Sequence, residues 1–405
     1  MKSASVIGLL LLALSLMLTL WAFKPFSDTP SVDAFLKLIV VLIDVFLVVA
    51  GTALIRKNQP VKERLSSLIR NNEKLVILYF GLGFCLAVLI AVEFSCRFYF
   101  KYGYEAPYTE KTTWNPAPNE PDSLLGSRLI ADTTIEHSYT VNDTLIYRVD
   151  YEIDEYRRRI TPSFRPDSAY TQFTLVTGCS FAFGYGLSQR ETLPYLLDSI
   201  SGLCCYNYGN SGFGTQQTLA LLQSTDLTTQ ISQPNGVLAY LFIDDHISRL
   251  IGSRRLIKLW AQDFPYYCLD GSSVARNGSF STGRPTITSI YKLLSKSAFI
   301  DLFDIDIPWY RSNKHIELFG AVMSESKQEF IKQFPESRFL VVVAPNSKLA
   351  SRVVAELDSR NIEVLNLSAL LNKNDSVYQI HWTEAHPNAN YYREIAIAID
   401  AYLKR

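Results

Sequence analysis

Three long apolar runs crowd the first 92 residues and constrain this chain more than anything that follows them. Residues 5–23 carry no charge, residues 35–55 carry only Lys37 and Asp44, and residues 75–92 are uninterrupted. Each run is close to the roughly 20 residues that cross a hydrocarbon core. The first could also be a cleaved leader, but residues 21–26 lack a small-x-small cleavage site and more apolar runs follow. The expectation is therefore a membrane region over 1–100, with spans at about 5–23, 35–55 and 75–95. Arg56, Lys57, Lys62, Arg64, Arg70 and Lys74 lie between the second and third runs, whereas Lys24 alone lies between the first two. Basic loops stay on the cytoplasmic side. The N-terminus is then inside, everything after the third span is outside, and Phe94, Phe98, Tyr99 and Phe100 form the outer aromatic belt.

Beyond residue 100 the composition changes. Residues 101–126, with their Pro, Glu, Asn and Tyr, read as a linker without helical periodicity. Residues 127–165 read as a short β-rich lead-in, from alternating stretches such as residues 144–149. From 166 to the end, short apolar runs at 173–177, 204–208, 236–243, 338–344 and 362–367 alternate with amphipathic segments. That pattern predicts an α/β domain whose parallel sheet is covered by helices on both faces. Ligands of such sheets sit at the carboxyl ends of the strands. With 39 basic and 39 acidic residues the chain has no electrostatic footprint for nucleic acid. No CxxC pair or histidine cluster suggests a metal, and no cofactor is expected. A bridge from Cys204 or Cys205 to Cys268 is conceivable outside the cytoplasm.

Three loops at the expected strand ends hold residues fit for chemistry. The first apolar strand runs into Gly178-Cys179-Ser180, where a small residue before Ser180 allows a sharp turn into a helix. The N–H groups of that helix start suit a developing oxyanion, although a plain N-cap serine looks the same. The second strand ends in Asn207-Tyr208-Gly209-Asn210-Ser211-Gly212, a loop whose backbone can approach a ligand closely. Near the C-terminus, His381-Trp382-Thr383-Glu384-Ala385-His386-Pro387-Asn388 puts an imidazole beside a carboxylate ahead of a final helix. A neutral imidazole with a carboxylate partner is the usual base for activating a serine.

Together these blocks resemble the SGNH/GDSL hydrolase family, in a membrane-anchored bacterial branch. Gly178-Cys179-Ser180-Phe181-x-Phe183-Gly184 is similar to the first block, Asn207-x-Gly209-x-Ser211-Gly212 to the second, and His386-Pro387-Asn388 to the last. The resemblance covers roughly residue 151 to the end, including the lead-in around Arg157-Arg158-Arg159. It implies a three-layer αβα, flavodoxin-like domain over 166–405. It also implies Ser180 as nucleophile, His386 as base and Glu384 as the orienting acid, with an oxyanion hole drawn from Ser180, Gly209, Asn210 and Asp244. Three departures stand out. Cys179 replaces the usual Asp of the first block, and Thr383 stands where the acid is common. The third block reads Phe242-Ile243-Asp244-Asp245-His246, with Asp244 in the place of a donating Asn. An ionised Asp244 cannot donate, so it is turned away, protonated, or replaced by Asn210 or His246.

The function that the resemblance implies is a serine esterase or deacetylase acting on acylated cell-envelope or exported glycans, held at the bacterial cytoplasmic membrane. An O-acyltransferase module working with a membrane acyl-donor protein uses the same Ser–His chemistry. A catalytically inactive glycan- or partner-binding protein is the third reading, supported by Asp244 and Thr383.

Overall fold

The near-continuous apolar strands of the C-terminal half build the element that positions everything else. In the computed structural model, which describes residues 73–405 apart from 167, 168 and 272 together with scattered residues between 12 and 52, five strands form one parallel sheet. These are β6 (Gln172–Gly178), β7 (Cys204–Gly209), β8 (Asn235–Phe242), β11 (Arg338–Val343) and β12 (Glu363–Asn366), in the order β12-β11-β8-β6-β7. β6, β8 and β11 are buried almost throughout, which explains why their sequences show no polar alternation. Successive residues still point to opposite faces. Leu175, Leu238, Val341 and Val343 pack under helices Thr215–Ser224, Asn313–Gln333 and Ala350–Ser359. Val176, Leu241, Leu340 and Val342 pack under helices Leu193–Ser201 and Ala389–Leu403. This is the three-layer α/β arrangement with a parallel sheet.

The chain enters at β6, steps outward to β7, then returns across β6 to β8 and continues in that direction. The reversal opens a crevice at the carboxyl ends of β6 and β8. Gly178, the last residue of β6, lies in register with Leu241 of β8 and Gly209 of β7.

Residues 101–126, expected as an irregular linker, instead hold β1 (Glu110–Asn115) and β2 (Asn119–Asp122). β2 pairs with β3 (Gly126–Leu129), and β1 pairs antiparallel with β4 (Thr133–Val141), which pairs with β5 (Thr144–Ile153). β1 reads as Glu-Lys-Thr-Thr-Trp-Asn and is exposed over most of its length. Its strand character comes from pairing along β4, which local composition does not show. A second hairpin joins β9 (Pro265–Asp270) to β10 (Ser273–Ser279).

The antiparallel sheet is joined to the parallel one through Arg159, which bridges Ile153 on one side and Asn207 of β7 on the other. Its guanidinium is 1% exposed and donates to the carbonyls of Phe183 (3.0 Å), Gly184 (2.6 Å) and Leu187 (2.6 Å). It lies over the rings of Tyr151 and Phe183 at 4.4 and 5.1 Å. Burial pulls its pKa down to about 10, partly offset by Tyr151.

Residues 1–105 and 296–305 form a separate compact unit. Its main element is the 30-residue helix Glu73–Tyr102. Glu93 accepts hydrogen bonds from Ser297 Oγ (2.7 Å) and from the N–H groups of Ala298 (2.8 Å) and Phe299 (3.2 Å), and pairs with Arg97 at 2.8 Å. The expected span at 75–95 falls on this helix, whereas the spans at 5–23 and 35–55 lie largely outside the described residues. Among the described residues no helix is long and apolar enough to cross a membrane, and the described side chains of Glu73–Tyr102 include Glu93, Arg97 and Lys101.

No disulfide links Cys204 or Cys205 to Cys268. Neighbouring residues of β7 face opposite layers, so Cys204 and Cys205 are buried in different cores. Cys268 sits on β9 with the Asn277 amide donating to its sulfur at 3.2 Å.

Arg159→Met should leave three buried carbonyls without their donor. With about 1–3 kcal/mol for each unmet polar group, the expected loss is at least about 3 kcal/mol in urea unfolding followed by tryptophan fluorescence. A loss under about 1 kcal/mol would show that the guanidinium does not hold the loop.

Candidate active site

Gly178 ends β6 at φ +139°, a conformation that suits glycine, and a Cβ there would come 3.0 Å from the Leu241 carbonyl oxygen. The chain then turns at Cys179 into the four-residue helix Ser180–Phe183. Ser180 opens that helix at the crevice, so its own N–H has no intrahelical acceptor. Cys179, which replaces the usual Asp, is fully buried in the core beneath Leu193–Ser201.

His386 arrives from the other end of the chain, three residues before the final helix Ala389–Leu403. That helix is capped by Asn388, whose side chain accepts from the N–H groups of Asn390 and Tyr391. The Asn388 amide also donates to the carbonyls of Val377 (2.9 Å) and Gln379 (3.0 Å), which fixes the loop. His386 Nε2 lies 2.8 Å from Ser180 Oγ, and His386 Nδ1 lies 2.6 Å from Glu384 Oε1. With Nδ1–H donating to the carboxylate, Nε2 presents its lone pair to the serine hydroxyl. Burial acts to raise the Glu384 carboxyl, but the hydrogen bonds and charge of His386 and the N–H of Ala385 outweigh it and hold the acid below its ordinary value. Glu384 is thus an anion at neutral pH, directed at the imidazole.

Thr383, at the position where the acid is common, takes no part in that chain. Its hydroxyl lies 2.8 Å from both His381 Nδ1 and Tyr139 Oη, and Tyr139 donates to Glu110 at 2.6 Å. Burial and the Glu110 carboxylate push Tyr139 up to about 12.

Two of the expected oxyanion candidates make other contacts. The Gly209 N–H is directed at Asn207 Oδ1, 3.0 Å away. Gly209 is glycine for another reason, since a Cβ there would stand 2.3 Å from the Phe183 nitrogen. Asp244 is turned away from the crevice. Its carboxylate accepts from Ser347 Oγ (2.5 Å) and from the N–H groups of Lys348 (2.8 Å) and Leu349 (3.4 Å). Asn210 donates its backbone N–H to the Gly178 carbonyl at 3.2 Å, and its side-chain Oδ1 is buried without a hydrogen-bond partner among the described residues. His246 is fully buried, with Nδ1 2.6 Å from the Tyr240 hydroxyl.

The antiparallel sheet supplies neighbours that no motif announces. The Tyr185 ring stacks on the His386 imidazole at 4.2 Å and 21°. Burial and the Glu384 charge push the Tyr185 phenol up to about 12. Trp114 stacks on His137 at 3.7 Å, and both contact Tyr185 edge-on. The Tyr151 hydroxyl accepts from the Gly186 N–H (2.7 Å) and lies 2.8 Å from His137 Nδ1. Tyr185 lies just beyond the first block, and Arg159, which holds the carbonyls of residues 183, 184 and 187, lies in the arginine run at 157–159. Their spacing in sequence gave no sign of either role.

A cavity of about 150 Å³ flanks the site, lined by Phe181, Ile243, Ala344, Pro345 and Ala385, with Asp244 and Lys373 among its polar edges. Among the described residues no cluster of His, Cys, Asp and Glu could hold a metal ion.

Solved structures similar to this chain include a GDSL-type lipolytic protein and carbohydrate esterases. One is a lipolytic protein of the G-D-S-L family from Desulfitobacterium hafniense, at 11% identity and a TM-score of 0.31, covering 57% of this chain and 99% of that one. An acetyl xylan esterase from Butyrivibrio proteoclasticus matches at 7% and 0.33, over 58% of this chain and 64% of that one. A carbohydrate esterase family 2 enzyme from Myceliophthora fergusii matches at 11% and 0.32, over 74% and 89%. No protein-family model and no curated protein sequence matches the chain. Likenesses this distant carry no weight for the chemistry, and the strand order and the Ser180–His386–Glu384 contacts stand without them.

Burial lowers His137 from 6.5 to about 3, an effect larger than the opposing pull of Glu384. The unfolded state therefore binds this proton first, so His137 favours the fold fully above about pH 6.5 and progressively less as pH falls toward 3. In His137→Phe, unfolding free energy should depend less steeply on pH between 6.5 and 5 than in the wild type. Parallel curves for the two proteins would remove His137 from the acid response.

Proposed function

We propose that this protein is a membrane-anchored, extracytoplasmic serine esterase that removes short acyl groups from glycans. The observation that carries the reading is the hydrogen-bonded chain from Ser180 through His386 to Glu384. In the proposed reaction Ser180 Oγ attacks the ester carbonyl carbon as its proton passes to His386 Nε2. Glu384 stabilises the resulting imidazolium without itself taking the proton. The oxyanion forms at the start of helix Ser180–Phe183, where the Ser180 N–H is the donor and the Asn210 carboxamide is the neutral group nearest in sequence to the strand end. His386 then returns its proton to the departing sugar oxygen. A water, deprotonated in turn by His386, hydrolyses the acyl-serine.

Neither Asp244 nor Thr383 obstructs this chemistry. Asp244 directs its carboxylate at Ser347 and at the N–H groups of Lys348 and Leu349, so it has no part as an oxyanion donor. Thr383 leaves the imidazole to Glu384. A catalytically inactive protein therefore loses the two residues that favoured it. The cavity of about 150 Å³ beside Phe181 and Ala385 has room for a short acyl unit.

Anchoring rests on the N-terminal apolar runs and on helix Glu73–Tyr102. Leu82, Leu86 and Leu89 of that helix are 58, 58 and 66% exposed, and Phe98 is 49% exposed. A face this apolar suits lipid or neighbouring helices better than water. The basic loop between the second and third runs supports an extracytoplasmic site.

The full-length protein should hydrolyse p-nitrophenyl acetate, and Ser180→Ala should reduce the rate to background. Glu384→Gln should lower kcat by roughly 10²–10⁴ while leaving KM nearly unchanged. The octanoate ester should be turned over at least tenfold more slowly than the acetate. Equal rates for wild type and Ser180→Ala would sink the mechanism, and equal rates for both esters would sink the acyl-length assignment.

A further inference from the structure

One short turn of chain delivers two side chains to the same imidazole. Helix Ser180–Phe183 ends at Gly184, whose left-handed φ of +82° reverses the backbone. The N–H groups of Gly184 and Tyr185 both donate to the Ser180 carbonyl, at 2.9 and 3.1 Å. Ser180 therefore starts the turn and Tyr185 closes it. The hydroxyl of the first lies 2.8 Å from His386 Nε2. The ring of the second stacks on the imidazole, with centroids 4.2 Å and planes 21° apart.

Tyr185 is itself held from behind. Trp114 and His137 meet its ring edge-on, at 5.6 and 4.6 Å, and stack on each other at 3.7 Å. The next residue, Gly186, donates its N–H to the Tyr151 hydroxyl, and the Arg159 guanidinium holds the carbonyls of residues 183, 184 and 187. The antiparallel sheet and the loop thus fix where the ring lies. Because the phenol is pushed up to about 12, the imidazole faces a neutral ring and not a second anion.

What the imidazole needs from such a face follows from its hydrogen bonds. His386 is held at Nδ1 by Glu384 and at Nε2 by Ser180. Both bonds lie in the ring plane, where they resist sliding more than tilting. Once Oγ carries an acyl group the serine can no longer donate, and Glu384 alone remains. Nε2 must then take a proton from the attacking water. Phe181 is tilted at 50° and 5.6 Å from the imidazole, so it offers no parallel face. Tyr185 does, and an aromatic face also attracts the imidazolium that forms.

We infer that Tyr185 is a positioning residue for His386, its ring keeping the imidazole plane aligned through the acyl-serine stage. The inference rests on the esterase reading and names the residue that serves its second half.

The test is p-nitrophenyl acetate hydrolysis by the full-length protein, followed in both the burst and the steady state. In Tyr185→Leu, kcat should fall at least about tenfold, since a small misplacement of a catalytic group has effects of that order. KM should not rise, and release of nitrophenol should begin with a burst approaching the protein concentration, because acyl-serine hydrolysis becomes the slow step. Tyr185→Phe, which keeps the ring, should recover most of the lost kcat. A kcat unchanged in Tyr185→Leu would overturn the role. So would a loss seen only as a raised KM, which would make the ring a substrate contact, or a Tyr185→Phe as slow as Tyr185→Leu, which would assign the effect to the hydroxyl. If circular dichroism shows that Tyr185→Leu does not fold, Trp114→Leu, at a half-buried position, decides by the same criteria: a lower kcat without a raised KM supports the role, and an unchanged kcat overturns it. Equal rates for wild type and Ser180→Ala would remove the esterase reading and this role with it. Hydrolysis that needs Ser180 but ignores Tyr185→Leu would remove the role alone.

Discussion

The buried guanidinium of Arg159 is the interaction on which the site's geometry depends most. A charge out of water is tolerable only when its donors are met and its surroundings are polarisable. Here three carbonyls from residues 183–187 take the terminal N–H groups and two aromatic faces flank the charge, while Nε has no hydrogen-bond partner among the described residues. The same residue bridges the antiparallel sheet to β7. Through its backbone Arg159 thus ties the sheet that carries Trp114 and His137 to the strand that ends in Gly209, and through its side chain it holds the loop that carries Tyr185. The stacking of Tyr185 on His386 is a consequence of that tie.

The parallel sheet was legible because its central strands are buried on both faces, and burial on both faces writes itself as an unbroken apolar run. Strands whose existence depends on a neighbour were not legible. β1 has a polar sequence and pairs with β4 at residues 133–141, so it reads as linker until the partner is present. Ser180, Glu384 and His386 could be singled out because the chain has only five histidines and because the blocks that hold these residues resemble a known set of motifs. The direction of a hydrogen bond was beyond reach. Gly209 and Asp244 have the expected positions, but Asn207 takes the N–H of the first, and the 347–349 turn takes the carboxylate of the second. Both partners are ordinary polar groups whose role depends on three-dimensional placement alone.

Charge around the crevice is kept simple by burial. His137 and His246 are held neutral, with burial the largest cause for each. The raised phenols of Tyr139 and Tyr185 likewise stay protonated well above neutral pH. Glu384 is left as the anion facing the imidazole. In the proposed reaction, an imidazolium at His386 would have Glu384 as counter-charge and the Tyr185 ring as an aromatic face.

The hydrogen bond between Ser180 and His386 spans 206 positions of chain. Every strand of the parallel sheet after the first, and the cap of the last helix, must be laid down before the imidazole can reach the hydroxyl. In a chain that has not yet folded as far as residue 386, Ser180 has no imidazole partner, so the contact between them records the completion of the whole sheet.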